Sequence, residues 1–159
     1  TGEVMGIGAD AGVAYAKALL AAGHVLPNEG AVLLTLADRD KALGLAVAQA
    51  FHILGFELWA TPGTARYLEH HAIPAHQVDK VGAGDLDTKT LIESGRVHLV
   101  VNTPRGGRAR SDGRVLRHSA KSVGIPCVTT LAGALSVARS LRAGEQALNT
   151  PRSLQDWHA

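Results

Sequence analysis

The sequence predicts a doubly wound, three-layer α/β/α domain on a five-stranded parallel sheet of order 3-2-1-4-5. Three observations predict it. Apolar runs recur along the chain (31–37, 56–60, 97–103 and 126–130), and the longer ones are too continuously apolar for a strand with one face in water. Stretches of helical length separate these runs, and parallel neighbours need such crossovers, which are almost always right-handed. Aromatic residues make up only 4% of the chain, so the core must be packed from Ala, Val, Leu and Ile, as where Ala-rich helices cover a sheet.

The elements follow in order. TGEVMGIGADAG is Gly-rich without period, and GVAYAKALLAAG (12–23) reads as a short helix stopped by Gly23 and Pro27. AVLLTLA (31–37) is the first strand, and DRDKALGLAVAQAFHILG (38–55) a helix with Asp at its start. FELWA (56–60) is the second strand, TPGT a tight turn, and TARYLEHHA (64–72) a helix that Thr64 can N-cap. A weaker third strand, HQVDKV (76–81), leads through GAGD into a helix near 87–94. VHLVVNT (97–103) is the clearest buried strand, and PRGGRARSDG (104–113) reads as an exposed polar loop. GRVLRHSAKSVG (113–124) is a helix ended by Gly124, PCVTT (126–130) the fifth strand, and LAGALSVARSLRA (131–143) the last helix; the tail LQDWHA shows no period.

Composition narrows the function. Lys and Arg number 16 against 14 Asp and Glu, which leaves no broad basic face for a nucleic-acid backbone. The single Cys127 cannot form an internal disulfide, and neither a signal peptide nor about 18 unbroken apolar residues occurs, so no membrane partner is expected and the compartment reads as cytoplasmic. The chain opens on Thr1 rather than Met, which reads as a segment of something longer.

In such sheets ligands bind beyond the carboxyl ends of the strands, where the strand order reverses, here between the first and fourth strands. Ala60-Thr61-Pro62-Gly63-Thr64 runs from a strand end straight into a helix, so two hydroxyls and the free N–H groups of a first turn converge where Gly63 leaves room for an anion. The simpler alternative is a Pro-Gly turn with Thr64 as an ordinary cap. Lys41 stands in the first turn of its helix, where the dipole disfavours a cation; a bound anion would account for it, as would pairing with Asp38 or Asp40. Lys80 and Asn102 end the third and fourth strands, and Thr35 lies late in the first. Together these side chains describe a site for a small phosphorylated ligand with a polar body. Asp85 in the GAGD turn is the candidate general base for an enzymatic alternative, with Asp38 and Asp112 as further acids. His70, His71 and His118 lack metal-ligand spacing, so no metal is assigned, and Cys127 reads as a core thiol.

TGEVMG at the start, LADRDK (36–41), GFELWATPGTA (55–65), NTP (102–104), DGRVLR (112–117) and TTL (129–131) together resemble the C-terminal domain of the carbamoyl-phosphate synthase large subunit, of methylglyoxal-synthase-like fold, over nearly the whole chain. The resemblance implies a lead-in segment over 1–29 that follows an ATP-grasp region, and a regulatory domain over 30–159. It implies an allosteric effector of UMP or IMP type held by Lys41, Thr61, Gly63, Thr64, Lys80 and Asn102, with Thr35 lining the pocket. The domain itself would be non-catalytic and without a cofactor. Its parent would be a glutamine-hydrolysing ligase that uses ATP and Mg, pairs with a small glutaminase subunit and serves pyrimidine and arginine biosynthesis. Two alternatives stand beside it: a methylglyoxal synthase-like lyase acting on dihydroxyacetone phosphate, and a structural domain mediating homo-oligomer contacts. Asp85 resembles the synthase's catalytic Asp, whereas Asn102-Thr103-Pro104 stands where the synthase has an acidic residue, and Ala37 where it has a His.

Overall fold

The structure, a computed structural model, describes residues 3–103, 107–144 and 151–157, with the backbone alone over 107–111. Five strands, β1 (Ala31–Leu36), β2 (Glu57–Ala60), β3 (His76–Gln77), β4 (Leu99–Thr103) and β5 (Cys127–Val128), form one sheet. Its order is β3-β2-β1-β4-β5 with every pair parallel, as the sequence predicts. The helices are α1 (Ala11–Ala21), α2 (Lys41–Ile53), α3 (Pro62–His70), α4 (Thr88–Glu93), α5 (Gly107–Ser122), α6 (Leu131–Ala143) and α7 (Leu154–Trp157).

Strand alternation sorts the helices into two layers. Val32, Leu34 and Leu36 of β1, with Leu99 and Val101 of β4, pack in one cluster with Ala16 of α1, Val47 and Phe51 of α2, Leu68 of α3 and Val137 of α6. Ala31, Leu33 and Val100 point the other way, onto Leu91 and Ile92 of α4 and Leu116 and Ala120 of α5. The period of two therefore puts Thr35 and Asn102 on the α4/α5 side of the sheet. α2 buries Gly44, Val47, Ala48 and Phe51, the spacing of one helical face, and Phe51 meets Phe56 edge to face at 5.6 Å. Asp10, Asp87 and Thr130 cap α1, α4 and α6 with side-chain oxygens.

Five expectations are corrected. The third strand is two residues long rather than six: beyond Val78 only an isolated bridge joins Asp79 to Asp87 before Gly82 turns the chain at φ 71°. The stretch 61–64 is not a turn preceding a helix capped by Thr64; α3 begins at Pro62, whose fixed φ suits a first helical position, with Thr61 in the cap position and Thr64 inside the first turn. The expected loop over 104–113 is helical from Gly107, because its Arg, Ala and Ser residues continue into the amphipathic stretch behind them; 104–106 lie outside the described residues. The tail forms the single turn α7. The helix expected over 38–55 opens with a 3-10 turn over Asp38–Asp40.

Candidate functional site

Beyond the carboxyl ends of β1, β2 and β4 lies a cavity of about 700 Å³. Thr35, Thr61, Lys80 and Asn102 line it, four of the seven residues singled out in the sequence. The floor is built by β1 and β4, whose register pairs Thr35 with Asn102. Thr35 Oγ1 donates to Asn102 Oδ1 at 3.1 Å. That fixes the amide and leaves Asn102 Nδ2, in a residue only 1% exposed, without a hydrogen-bond partner among the described residues. A buried amide donor left unsatisfied costs about 1–3 kcal/mol, a price that an acceptor on a ligand would remove.

Lys41, Gly63 and Thr64 gather beside the cavity on the α2/α3 side. A Cβ on Gly63 would stand 3.3 Å from Lys41 Nζ, so the ammonium rests against the first turn of α3. Pro62 has no N–H there, the N–H groups of Thr64 and Ala65 return to Thr61 O at 2.8 Å each, and no side chain caps the helix. Thr64 is committed to the fold: its Oγ1 accepts the N–H of Leu36 at 3.2 Å and Thr61 Oγ1 stands 3.4 Å away as donor. α3 is thereby fastened to the end of β1. Thr103 does the same on the other flank, its Oγ1 accepting the N–H of Ala37 at 3.2 Å.

Of the two accounts the sequence held open for Lys41, a bound anion or an acidic neighbour, the structure gives the pairing with Asp38, whose Oδ1 lies 2.6 Å from Nζ. The hydrogen bond and charge of Lys41 hold the Asp38 carboxyl below the usual carboxylate range, slight desolvation opposes this, and the charge of Lys80 adds to it. Lys80 is positioned by the loop after β3. That loop is closed by Asp87, whose Oδ2 accepts the N–H of Gly82 at 2.6 Å and whose Oδ1 accepts that of Thr90 at 2.8 Å. Burial disfavours the Asp87 charge, but the N–H groups of Gly82, Thr90 and Lys89 and the Thr90 hydroxyl more than offset it, so its carboxyl also lies below the ordinary range.

The candidate base Asp85 is exposed and is not among the residues lining the cavity, and Asp87, held ionised by backbone donors, is a weak proton acceptor. Cys127 is partly buried and its thiol is pushed up to about 11 by burial, against the opposing charge of Arg117, so it is no nucleophile at neutral pH. Among the described residues no three His, Cys, Asp or Glu side chains gather to hold a metal, and no helix is long and apolar enough to cross a membrane. Sequence reasoning missed Thr88, Gly113 and Leu116 as cavity lining. The apolar period of 113–124 was visible, but its front end was read as a loop and so was not placed over the strand ends.

The family profile described as MGS-like domain matches residues 44–129. The chain is 46% identical over 162 residues to the carbamoyl phosphate synthase large chain of Rubrobacter xylanophilus, covering 100% of this chain and 15% of that protein. It is 42% identical over 159 residues to the carbamoyl phosphate synthase large chain, C-terminal section, of Methanopyrus kandleri, covering 99% of this chain and 29% of that protein. The chain thus spans well under a third of the length of these curated relatives. Among solved structures it is similar to ForH, with a TM-score of 0.53 and 18% identity over 73% of this chain and 81% of that one, which shows a shared fold alone.

Proposed function

This chain belongs to the MGS-like domain family, and from that membership we propose that it is the effector-binding section of a carbamoyl phosphate synthase large chain. The observation that carries the reading is the Lys41 ammonium resting against the uncapped first turn of α3, at the edge of a cavity whose floor holds the unsatisfied amide of Asn102. An effector of UMP or IMP type fits this arrangement. Its phosphate lies between Lys41 and the Thr61–Thr64 turn, where the helix end and the ammonium supply positive potential. Its ribose and base extend toward Lys80, Thr35 and Asn102, in a space of ordinary small-molecule size.

Regulation follows if the effector binds two global states of the parent unequally, with coupling typically of about 1–3 kcal/mol. The chemistry regulated would be carried by ATP-grasp domains of the same chain, with ATP and Mg, on ammonia supplied by a small glutaminase subunit. The lead-in over 1–29 would join this domain, over 30–159, to those domains, and the product would feed pyrimidine and arginine synthesis. Calorimetry with UMP and IMP tests the site: heat is expected for at least one and is lost in Lys41→Ala, and no binding of either ends this reading. Effector-dependent rates of carbamoyl phosphate synthesis in the full assembly test the regulatory half. Methylglyoxal formation from dihydroxyacetone phosphate would instead favour the lyase.

A further inference from the structure

Asp38 and Asp112 are the acidic residues lining the cavity, whose charge opposes the anion it is suited to, and of the two it is Asp38 that stands on Lys41. Its carboxylate is 94% exposed, yet it lies 2.6 Å from the ammonium of Lys41, whose own side chain is only 16% exposed. Asp38 lines the cavity, and Lys80, which lines it too, attracts the same carboxylate. The carboxylate therefore occupies the position of a ligand oxyanion, on the ammonium that rests against the uncapped start of α3. Asn102 Nδ2, buried and without a partner among the described residues, independently marks the cavity as one that a ligand completes.

We infer that Asp38 is a built-in competitor for the anion site: it holds Lys41 in the free chain and must give way when a phosphomonoester binds. This rests on the phosphate reading given above. The exchange is uneven. A solvated ion pair is weak, because water and salt compete for both partners, whereas a phosphate brings nearly two charges and three acceptor oxygens. A dianion displaces the carboxylate readily, and a monoanionic carboxylate ligand gains nothing over it, so Asp38 screens ligands by charge. Asp38 opens the short 3-10 turn with its side chain in water, so a change of rotamer releases Lys41 without moving the backbone.

Calorimetric titration of the chain with UMP, IMP and orthophosphate tests this on four proteins: wild type, Asp38→Asn, Asp38→Glu and Glu69→Gln, the last an exposed carboxylate at the far end of α3. Asp38→Asn is expected to tighten phosphate binding about 3- to 10-fold, the scale on which one solvated charge pair is removed and one repulsion relieved. Asp38→Glu, which keeps the charge, stays within about twofold of wild type, as does Glu69→Gln, so that loss of any negative charge does not imitate the effect. Equal or weaker binding by Asp38→Asn overturns the inference while leaving the site reading intact, and equal tightening by Glu69→Gln overturns it as well. Orthophosphate binding by Asp38→Asn where the wild type binds UMP or IMP but not orthophosphate supports it in its strongest form. No binding by either defeats the phosphate site and this inference together.

Discussion

Replacing Thr64 by Val asks whether a hydroxyl fastens α3 to the sheet. Thr64 is 1% exposed, and its Oγ1 is the acceptor for the N–H of Leu36 at 3.2 Å. Val preserves the shape, exchanges one oxygen for a methyl, and leaves the Leu36 N–H in a buried position with nothing to bond. An orphaned buried donor costs about 1–3 kcal/mol, and the added methyl returns at most about 0.8 kcal/mol. A net loss of about 1–2 kcal/mol is expected, which for a chain of this length lowers the midpoint of thermal unfolding by roughly 3–8 °C. Urea denaturation should show the same loss as a shifted midpoint at unchanged slope. Thr64→Ser keeps the oxygen and is expected to lose under about 1 kcal/mol. If Val is as stable as the wild type, or Ser is the more damaging of the two, the hydrogen bond is not what holds α3 to β1 and the reasoning fails.

Asn102→Leu removes the unsatisfied amide but also the acceptor of the Thr35 hydroxyl, so ligand-free stability is expected to stay within about 1 kcal/mol of wild type, while UMP binding weakens about tenfold or more; a variant equally good at binding would contradict the assignment of that donor to a ligand. Gly63→Ala puts a Cβ 3.3 Å from Lys41 Nζ, so calorimetry should find phosphate affinity reduced about 3- to 10-fold, while chemical denaturation finds stability raised by up to about 1 kcal/mol from the better helix former. Asp87 has a carboxyl held below its ordinary 3.8, so its contribution to stability is full above that value and is lost as the pH falls through the lower folded value. Asp87→Asn keeps one accepting oxygen for α4 but loses the acceptor of the Gly82 N–H and the charge, so it should cost about 1–2 kcal/mol at pH 7 and flatten that acid limb in denaturation curves taken between pH 5 and about 2.

The parallel, doubly covered sheet was legible because continuous apolar runs at 31–37 and 97–103 demand cover on both faces and helical crossovers make neighbours parallel; the order 3-2-1-4-5 was a choice among the doubly wound arrangements these allow. The edge was not legible. HQVDKV has its two valines three residues apart rather than alternating, His76 and Gln77 are both exposed and only Val78 is buried, so nothing holds the later residues in the ladder beyond one bridge. The start of α5 was hidden for a different reason: its first turns carry no apolar residue to show a period, and Gly106-Gly107 imitates a break. At the site, residue types and strand ends pointed to Thr35, Thr61, Lys80 and Asn102. What spacing alone could not assign was how Thr64 divides its hydroxyl, since its acceptor role belongs to Leu36, 28 residues away. The pairing of Lys41 with Asp38 was legible as an i,i+3 possibility; that the same ammonium also touches the start of α3 depends on how two helices meet.

The double fastening of β1 by Thr64 and Thr103 has a mechanical consequence. With Leu36 tied to α3, Ala37 to β4, and Thr35 to Asn102, the base of the cavity is a braced joint that strain does not easily deform. The compliant part is the short turn that begins at Asp38, whose carboxylate is held by a solvent-exposed contact with Lys41. Occupancy would thus redirect the Asp38 side chain and leave the strand ends where they are.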